Sequence, residues 1–158
     1  MKKLQKTQIA LADDHVLLRN GLANVVNNFG DYDVLFEANN GKHFIELIGK
    51  YGEPEIVLMD INMPVMDGYA TTHWIKENYP QINVLALSMY DNENSIINMF
   101  KAGAKGYILK DSEPSLLKSA LDSIKSQGFY YSELVTGRLI NSIQKMNEKS
   151  THVTDTLL

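Results

Sequence analysis

Five short apolar runs alternate with five stretches of helical periodicity along this chain. Residues 7–12 (Thr-Gln-Ile-Ala-Leu-Ala) form the first run and lead into Asp13-Asp14. In residues 15–29, Val16, Leu17, Leu22, Val25, Val26 and Phe29 recur at mostly helical spacing. Asp14 is placed to cap that helix and Gly30 to end it. Residues 32–38 read as a second strand, and Asn39-Asn40-Gly41 as a turn. Phe44, Leu47 and Ile48 mark a second helix, ended near Gly49 to Gly52. The third run, Ile56-Val57-Leu58-Met59, is bounded by Pro54 and Pro64 and ends on a single carboxylate, Asp60. Unbroken apolar character predicts a strand buried on both faces. Asp67 is placed to cap a third helix ending before Pro80, with Tyr69, Trp74 and Ile75 as its inward residues. Residues 82–87 form a fourth strand ending at Ser88. A helix over 92–102 is closed by Gly103, and a fifth strand over 106–109 ends at Lys110. A fifth helix over 113–127 carries Pro114 in its first turn, with Leu116, Leu117, Ala120, Leu121 and Ile124 as its apolar stripe.

Strands and helices alternating through short links predict a parallel sheet covered on both faces. Right-handed crossovers leave a doubly wound five-stranded α/β sheet. Beyond Phe129-Tyr130-Tyr131, Ser132 is placed to cap one more helix, with Val135, Leu139, Ile140, Ile143 and Met146 as its apolar positions.

Composition narrows the class. The chain has 158 residues, 44% of them apolar, enough for one domain with a real core. A net charge of -4 excludes a nucleic-acid binder by composition alone. The absence of cysteine excludes disulfides and thiolate metal sites. Lys2, Lys3 and Lys6 precede no apolar segment of a secretory signal, and no apolar stretch nears the roughly 18 residues of a membrane span. A soluble cytoplasmic protein with no membrane partner is expected.

In a parallel sheet all strand ends of one sense lie on one edge, where ligands bind. Asp13, Asp14, Asp60, Ser88 and Lys110 would converge there. Crowded acids repel unless a cation neutralises them, and all-oxygen ligation suits Mg2+. Lys110 supplies a point charge for a phosphoryl oxygen, and Ser88 a hydrogen bond. An aspartate can itself accept a phosphoryl group. His15, beside the acids, is read as a partly exposed first-turn residue rather than a ligand. His43, His73 and His152 show no ligand spacing.

Asp13-Asp14, Asp60 followed by Met63-Pro64 and Asp67-Gly68, Ser88, and the run Gly103-Ala104-Lys105-Gly106-Tyr107-Ile108-Leu109-Lys110 resemble the receiver domain of two-component response regulators. The resemblance covers roughly residues 7–127. Asp13-Asp14-His15, Arg19-Asn20-Gly21-Leu22 and the segment after residue 128 are similar to the NarL/FixJ type, which carries a LuxR-type helix-turn-helix for DNA binding. It implies a flavodoxin-like sheet of strand order 2-1-3-4-5, and a division into a receiver (1–128), a linker helix (129–149) and a mobile tail (150–158). It further implies that Asp60 is phosphorylated by a sensor histidine kinase. Asp14, Asp60 and the backbone carbonyl of Asn62 would hold Mg2+, with Asp13 reaching it through water. Ser88 and Lys110 would contact the phosphoryl group, and Tyr107 would be an aromatic switch. The expected output is homodimerisation on phosphorylation, with DNA reached only through a domain missing from this chain. The alternative is a stand-alone receiver that relays phosphate or binds a protein target. An enzyme is not expected, beyond self-phosphorylation and self-dephosphorylation. One departure is Asp111, where many receivers have a cis proline. A cis bond before a non-proline costs about 2.5–4 kcal/mol, which leaves the reach of Lys110 open.

Overall fold

A computed structural model of the chain describes residues 5–157, with side chains described through residue 147. The elements follow in the order β1 (Thr7–Ala12), α1 (Val16–Asn28), β2 (Tyr32–Ala38), α2 (Gly41–Tyr51), β3 (Ile56–Asp60), α3 (Gly68–Asn78), β4 (Asn83–Ser88), α4 (Glu93–Ala102), β5 (Gly106–Leu109), α5 (Pro114–Gln127) and α6 (Glu133–Leu157). The five strands form one sheet in the order β2-β1-β3-β4-β5, all neighbours parallel. This is the doubly wound architecture expected from the alternation.

Successive side chains of a strand point to opposite faces, and the sheet separates the apolar residues accordingly. Ile9 and Leu11 of β1 and Ile56 and Leu58 of β3 pack against α1 and α5, with Val26, Leu117, Leu121 and Ile124. Ala10, Ala12, Val57 and Met59 face the other way, against Phe44, Ile75, Ile96 and Met99 of α2, α3 and α4. All five residues of β3 are buried, so its apolar run has no polar face.

Most helix ends match their sequence signals. Asn40, Asp67 and Asn92 cap α2, α3 and α4 by accepting from His43 N, Ala70 N and Ser95 N. The start of α1 differs from expectation. Its N-cap is His15, without a side-chain cap bond, and Asp14 is displaced by one position. Asp13 takes over the local polar contact: its Oδ1 accepts the His15 N–H at 2.9 Å. On α5, Leu116 of the expected stripe is instead well exposed.

α6 runs past residue 149, where the sequence placed its end, to Leu157. No glycine or proline follows Gly137 to stop it. Leu158 lies outside the described residues. The helix lies along α4 through its first turns. Val135 is buried in the α2–α3–α4 core with Leu139 beside it. Asn141 Nδ2 donates to Glu93 Oε2 at 2.8 Å. Ile140, Ile143 and Met146, expected on its apolar stripe, stay exposed. Among the described residues no helix is long and apolar enough to cross a membrane.

Candidate functional site

The parallel sheet brings the predicted residues to one edge. Asp60 ends β3, Ser88 ends β4, Asp13 follows β1 directly and Lys110 follows β5 directly. Asp13, Asp60 and Ser88 are buried, and Asp14 is exposed. Lys110 Nζ stands 2.9 Å from Asp13 Oδ2 and 3.0 Å from Asp60 Oδ1. These are close ion pairs, and the other Asp60 oxygen, Oδ2, is buried without a hydrogen-bond partner. All peptide bonds described are trans, the Lys110–Asp111 bond included. The question opened by Asp111 is thereby answered: Lys110 reaches both carboxylates without proline.

Charge in this cluster is held under tension. Burial and the facing Asp13 carboxylate push the Asp60 pKa up to about 6, against the pull of Lys110. Burial alone would lower the Lys110 pKa, but the two carboxylates more than offset it and the net shift is upward. Lys110 is therefore a charged ammonium, and it does not fully neutralise the acids around it. Asp13, Asp14, His15 and Asp60 each offer a ligand atom within 4.8 Å of the others. A dense oxygen set that includes the buried, unpaired Asp60 Oδ2 is the donor chemistry that suits Mg2+.

Asn62 lies exposed in the loop after β3. That loop turns sharply. Met66 N donates to Pro64 O at 2.7 Å, and Val65 between them has φ 70°. This is a γ-turn with a β-branched residue in the left-handed region, a rare and strained combination. Val65 is 77% exposed, so its side chain contributes little packing. Val65→Gly is expected to raise stability by about 1 kcal/mol by relieving that strain; an unchanged or lowered melting temperature would contradict it.

On the other side, Ser88 Oγ accepts from Tyr90 N at 3.0 Å, and Tyr107 OH donates to Tyr90 O at 2.6 Å. Tyr107 is turned inward and almost fully buried, and burial raises its phenol pKa. Ser88, the loop before α4 and Tyr107 are thus one hydrogen-bonded unit. Beside the acids lies an open groove of about 590 Å³, edged by Asp14, His15, Leu17, Met89 and Lys110. His43 serves locally, its Nδ1 accepting from Asn39 N. The side chain of His152 lies outside the described residues.

Arg19 has a part that periodicity did not show. Its guanidinium is buried and donates to Asp13 O at 2.7 Å, Ala38 O at 3.2 Å, Asn39 Oδ1 at 2.6 Å and Glu37 Oε1 at 3.2 Å. It ties the end of β1 to the end of β2 and fixes the backbone of Asp13. The available signal was position: Arg19 falls on the same helical stripe as Leu22, Ala23 and Val26.

Residues 9–122 match the model of the response regulator receiver domain family. The chain is 34% identical over 141 residues to the transcriptional regulatory protein DegU of Brevibacillus brevis, covering 89% of this chain and 59% of DegU. It is 33% identical over 144 residues to the nitrate/nitrite response regulator NarL of Escherichia coli K12, covering 91% of this chain and 66% of NarL. Among solved structures, a LuxR-family response regulator from Aurantimonas sp. SI85-9A1 superposes with a TM-score of 0.78 at 27% identity, covering 87% of this chain and 98% of that one. The signal receiver domain of a putative NarL from Mycobacterium tuberculosis does so with a TM-score of 0.71 at 31% identity, covering 78% and 100%. The chain belongs to the response regulator receiver family. Within it, this is a receiver of the NarL type. It spans less than two thirds of the length of DegU and of NarL. Receiver domains of this family are in general switches rather than enzymes.

Proposed function

We propose that this chain is the phosphoacceptor part of a cytoplasmic two-component regulator of transcription. The observation that carries the reading is the buried Asp60 carboxylate, with one oxygen paired to Lys110 and the other unpaired, facing Asp13 and Asp14. An Asp60 oxygen attacks the phosphorus of a phosphohistidine on a sensor kinase. The P–N bond breaks, its electron pair stays on the imidazole nitrogen, which takes up a proton, and Asp60 becomes an acyl phosphate. Asp14, Asp60 and the backbone carbonyl of Asn62 would hold Mg2+, with Asp13 reaching it through water. When bound, that ion supplies positive charge for the carboxylates and for the phosphoryl oxygens. Phosphoryl transfer is mostly positioning and electrostatics. Lys110 moves its charge from the two carboxylates to a phosphoryl oxygen. Ser88 turns its hydroxyl to another, giving up the Tyr90 N–H it now accepts.

That last exchange is the switch. The loop before α4 follows Ser88, and Tyr107 holds the loop through the Tyr90 carbonyl. The altered α4–β5–α5 face then favours a homodimer and DNA binding through a further domain. Residues 1–128 act as the receiver and α6 as the linker to that domain. The name of DegU, a transcriptional regulatory protein, supports a transcriptional output over a stand-alone relay. Exposed Val16, Leu17 and Met89 beside the groove give the kinase an apolar edge to dock on.

The test is intact mass after incubation with acetyl phosphate, on wild type and Asp60→Asn, with and without Mg2+. A single adduct that needs both Asp60 and Mg2+ is expected. Labelling of Asp60→Asn at the wild-type level would sink the reading.

A further inference from the structure

At the far end of the sheet from the acids lies a cavity of about 450 Å³, between α3, α4, the start of β4 and the segment that leads into α6. That volume falls within the roughly 300–1,000 Å³ of small-molecule sites. Lys105 on its lining directly precedes β5, and Lys110 directly follows it. Strand rise alone therefore sets that lysine about 16 Å from the acid edge. Phosphoryl transfer makes no use of this cavity.

Its lining divides by chemistry. Ile75, Ile82 and Val84 are almost fully buried and give an apolar floor. Phe100 and Tyr131 form an aromatic wall, their ring centroids 5.3 Å apart and edge to face. Lys76 and Lys105 supply charge, and among the described residues no carboxylate lines the cavity and neither lysine is in an ion pair. In a chain of net charge -4 this is a local excess of two positive charges. The stem of Lys76 lies across Gly103, where a Cβ would meet its Cδ at 3.0 Å. The ammonium is thereby held at the seam of α3 and α4.

Thr72 stands one turn before Lys76 on the same face of α3. It is 1% exposed, and its Oγ1 has no hydrogen-bond partner. The neighbouring Thr71 satisfies its own hydroxyl by donating to Asp67 O at 2.6 Å. A buried hydroxyl left unpaired lowers stability, and an acceptor in the adjoining cavity would offset that loss. The walls are fixed by backbone bonds: Lys105 N donates to Val84 O at 2.8 Å, and Tyr130 N to Lys105 O at 2.9 Å.

We propose that this cavity binds a small organic anion with a planar apolar body, of the aromatic carboxylate class. The rings and the floor take the body, the two ammonium groups meet the carboxylate, and the Thr72 hydroxyl donates to one of its oxygens. Tyr131 and Leu139 belong to the segment beyond α5, so an occupied cavity ties α6 to α3 and α4. The site is separate from the acid edge and does not depend on the phosphoacceptor reading.

The experiment is calorimetric titration with 1-naphthoate, with 1-naphthylmethanol as its uncharged counterpart and with inorganic phosphate as a bare anion. One saturable site with a Kd of about 1 mM or tighter is expected for 1-naphthoate, given the efficiency of ligands of that size. The alcohol should bind at least about tenfold more weakly, and phosphate alone should not saturate. Lys76→Gln with Lys105→Gln should weaken 1-naphthoate at least about tenfold. Lys42→Gln with Lys50→Gln, an equal change of charge on exposed positions of α2, should leave it within about threefold. Thr72→Val keeps the shape, and should weaken binding by about threefold or more while leaving the melting temperature equal or higher. With 1-naphthoate bound, amide exchange in the first turns of α6 should slow. No saturable binding up to about 10 mM, equal affinity for the alcohol, or equal losses in the two double variants would overturn the proposal. So would a Thr72→Val variant that melts lower, since the hydroxyl would then already have a partner, or α6 exchange that 1-naphthoate leaves unchanged.

Discussion

Gly68→Ala is expected to lower stability by about 3 kcal/mol or more and to cut phosphodonor labelling of Asp60 by roughly a hundredfold. A Cβ on Gly68 would stand 2.1 Å from the Asp60 carbonyl oxygen, 2.8 Å from Ile61 Cα and 2.9 Å from the Asp60 carbonyl carbon. All three are backbone atoms, so no side chain can swing aside. The amide of Gly68 also donates to Ile61 O at 2.7 Å, which locks the first turn of α3 onto the end of β3. Relief requires α3 to retreat from the sheet or β3 to shift along it. Either movement displaces Asp60 and the loop that carries Asn62. A displacement near 1 Å at a reacting group is enough for a loss of that order. Gly21→Ala makes the contrast. Gly21 lies within α1 with nothing near its missing Cβ, so alanine there is expected to stabilise by about 0.5–1 kcal/mol. Chemical denaturation and timed acetyl phosphate labelling of both variants are the measurements. Wild-type stability and labelling in Gly68→Ala would mean that the tight junction of β3 and α3 does not position the site.

The difference between these two glycines marks where sequence reading ends. Strands buried on both faces appear as unbroken apolar runs, so β1, β3, β4 and β5 and the polar residue ending each could be read directly. Asp13, Asp60, Ser88 and Lys110 were placed together because parallel strands share an edge. Local capping was also legible at Asp67 and Ser132, where the signal spans three residues. What could not be read depends on contacts between distant elements. Gly68 looks like any helix-start glycine until β3 is laid against it. Arg19 looks like a surface arginine until Ala38, Asn39 and Glu37 come round on β2. Asp14 lost the cap of α1 because the helix starts one residue later, with His15 at its N-cap. The apolar stripe of α6 was correct in period, yet only Val135 and Leu139 find the core, since α4 meets only its first turns.

The Lys110 ammonium joins stability and chemistry in one group, and Lys110→Met separates them. The metal-free variant is expected to lose about 3 kcal/mol at pH 8, the range found when one partner of a buried ion pair is removed. Its side chain is 3% exposed, and its contacts at 2.9 and 3.0 Å are to carboxylates nearly as buried. Methionine fills much of the same volume, so the loss reports charge rather than a cavity. The pH dependence follows from the sign of the Asp60 shift. Its folded pKa, about 6, lies above the value of 3.8 for an unperturbed aspartate. Removing Lys110 takes away a lowering influence and raises it further. A raised folded pKa contributes stability that is present below the unfolded value and is lost as pH rises through the folded value. The part of the Lys110→Met penalty that comes from Asp60 should therefore be small near pH 4 and grow as the pH passes 6. Lys110→Met combined with Asp60→Asn should recover part of the loss at pH 8, because one of the two carboxylates left unpaired is gone while Asp13 remains. Thermal melts of both variants across that pH range are the test. A penalty independent of pH, or no recovery in the double variant, would mean that Lys110 stabilises by packing and that Asp60 is not held at the expense of the fold. The same substitution is expected to slow acetyl phosphate labelling even at pH 4, since it removes the cation that meets the phosphoryl oxygen. The site would then be most stable where Asp60 is protonated, and slow throughout.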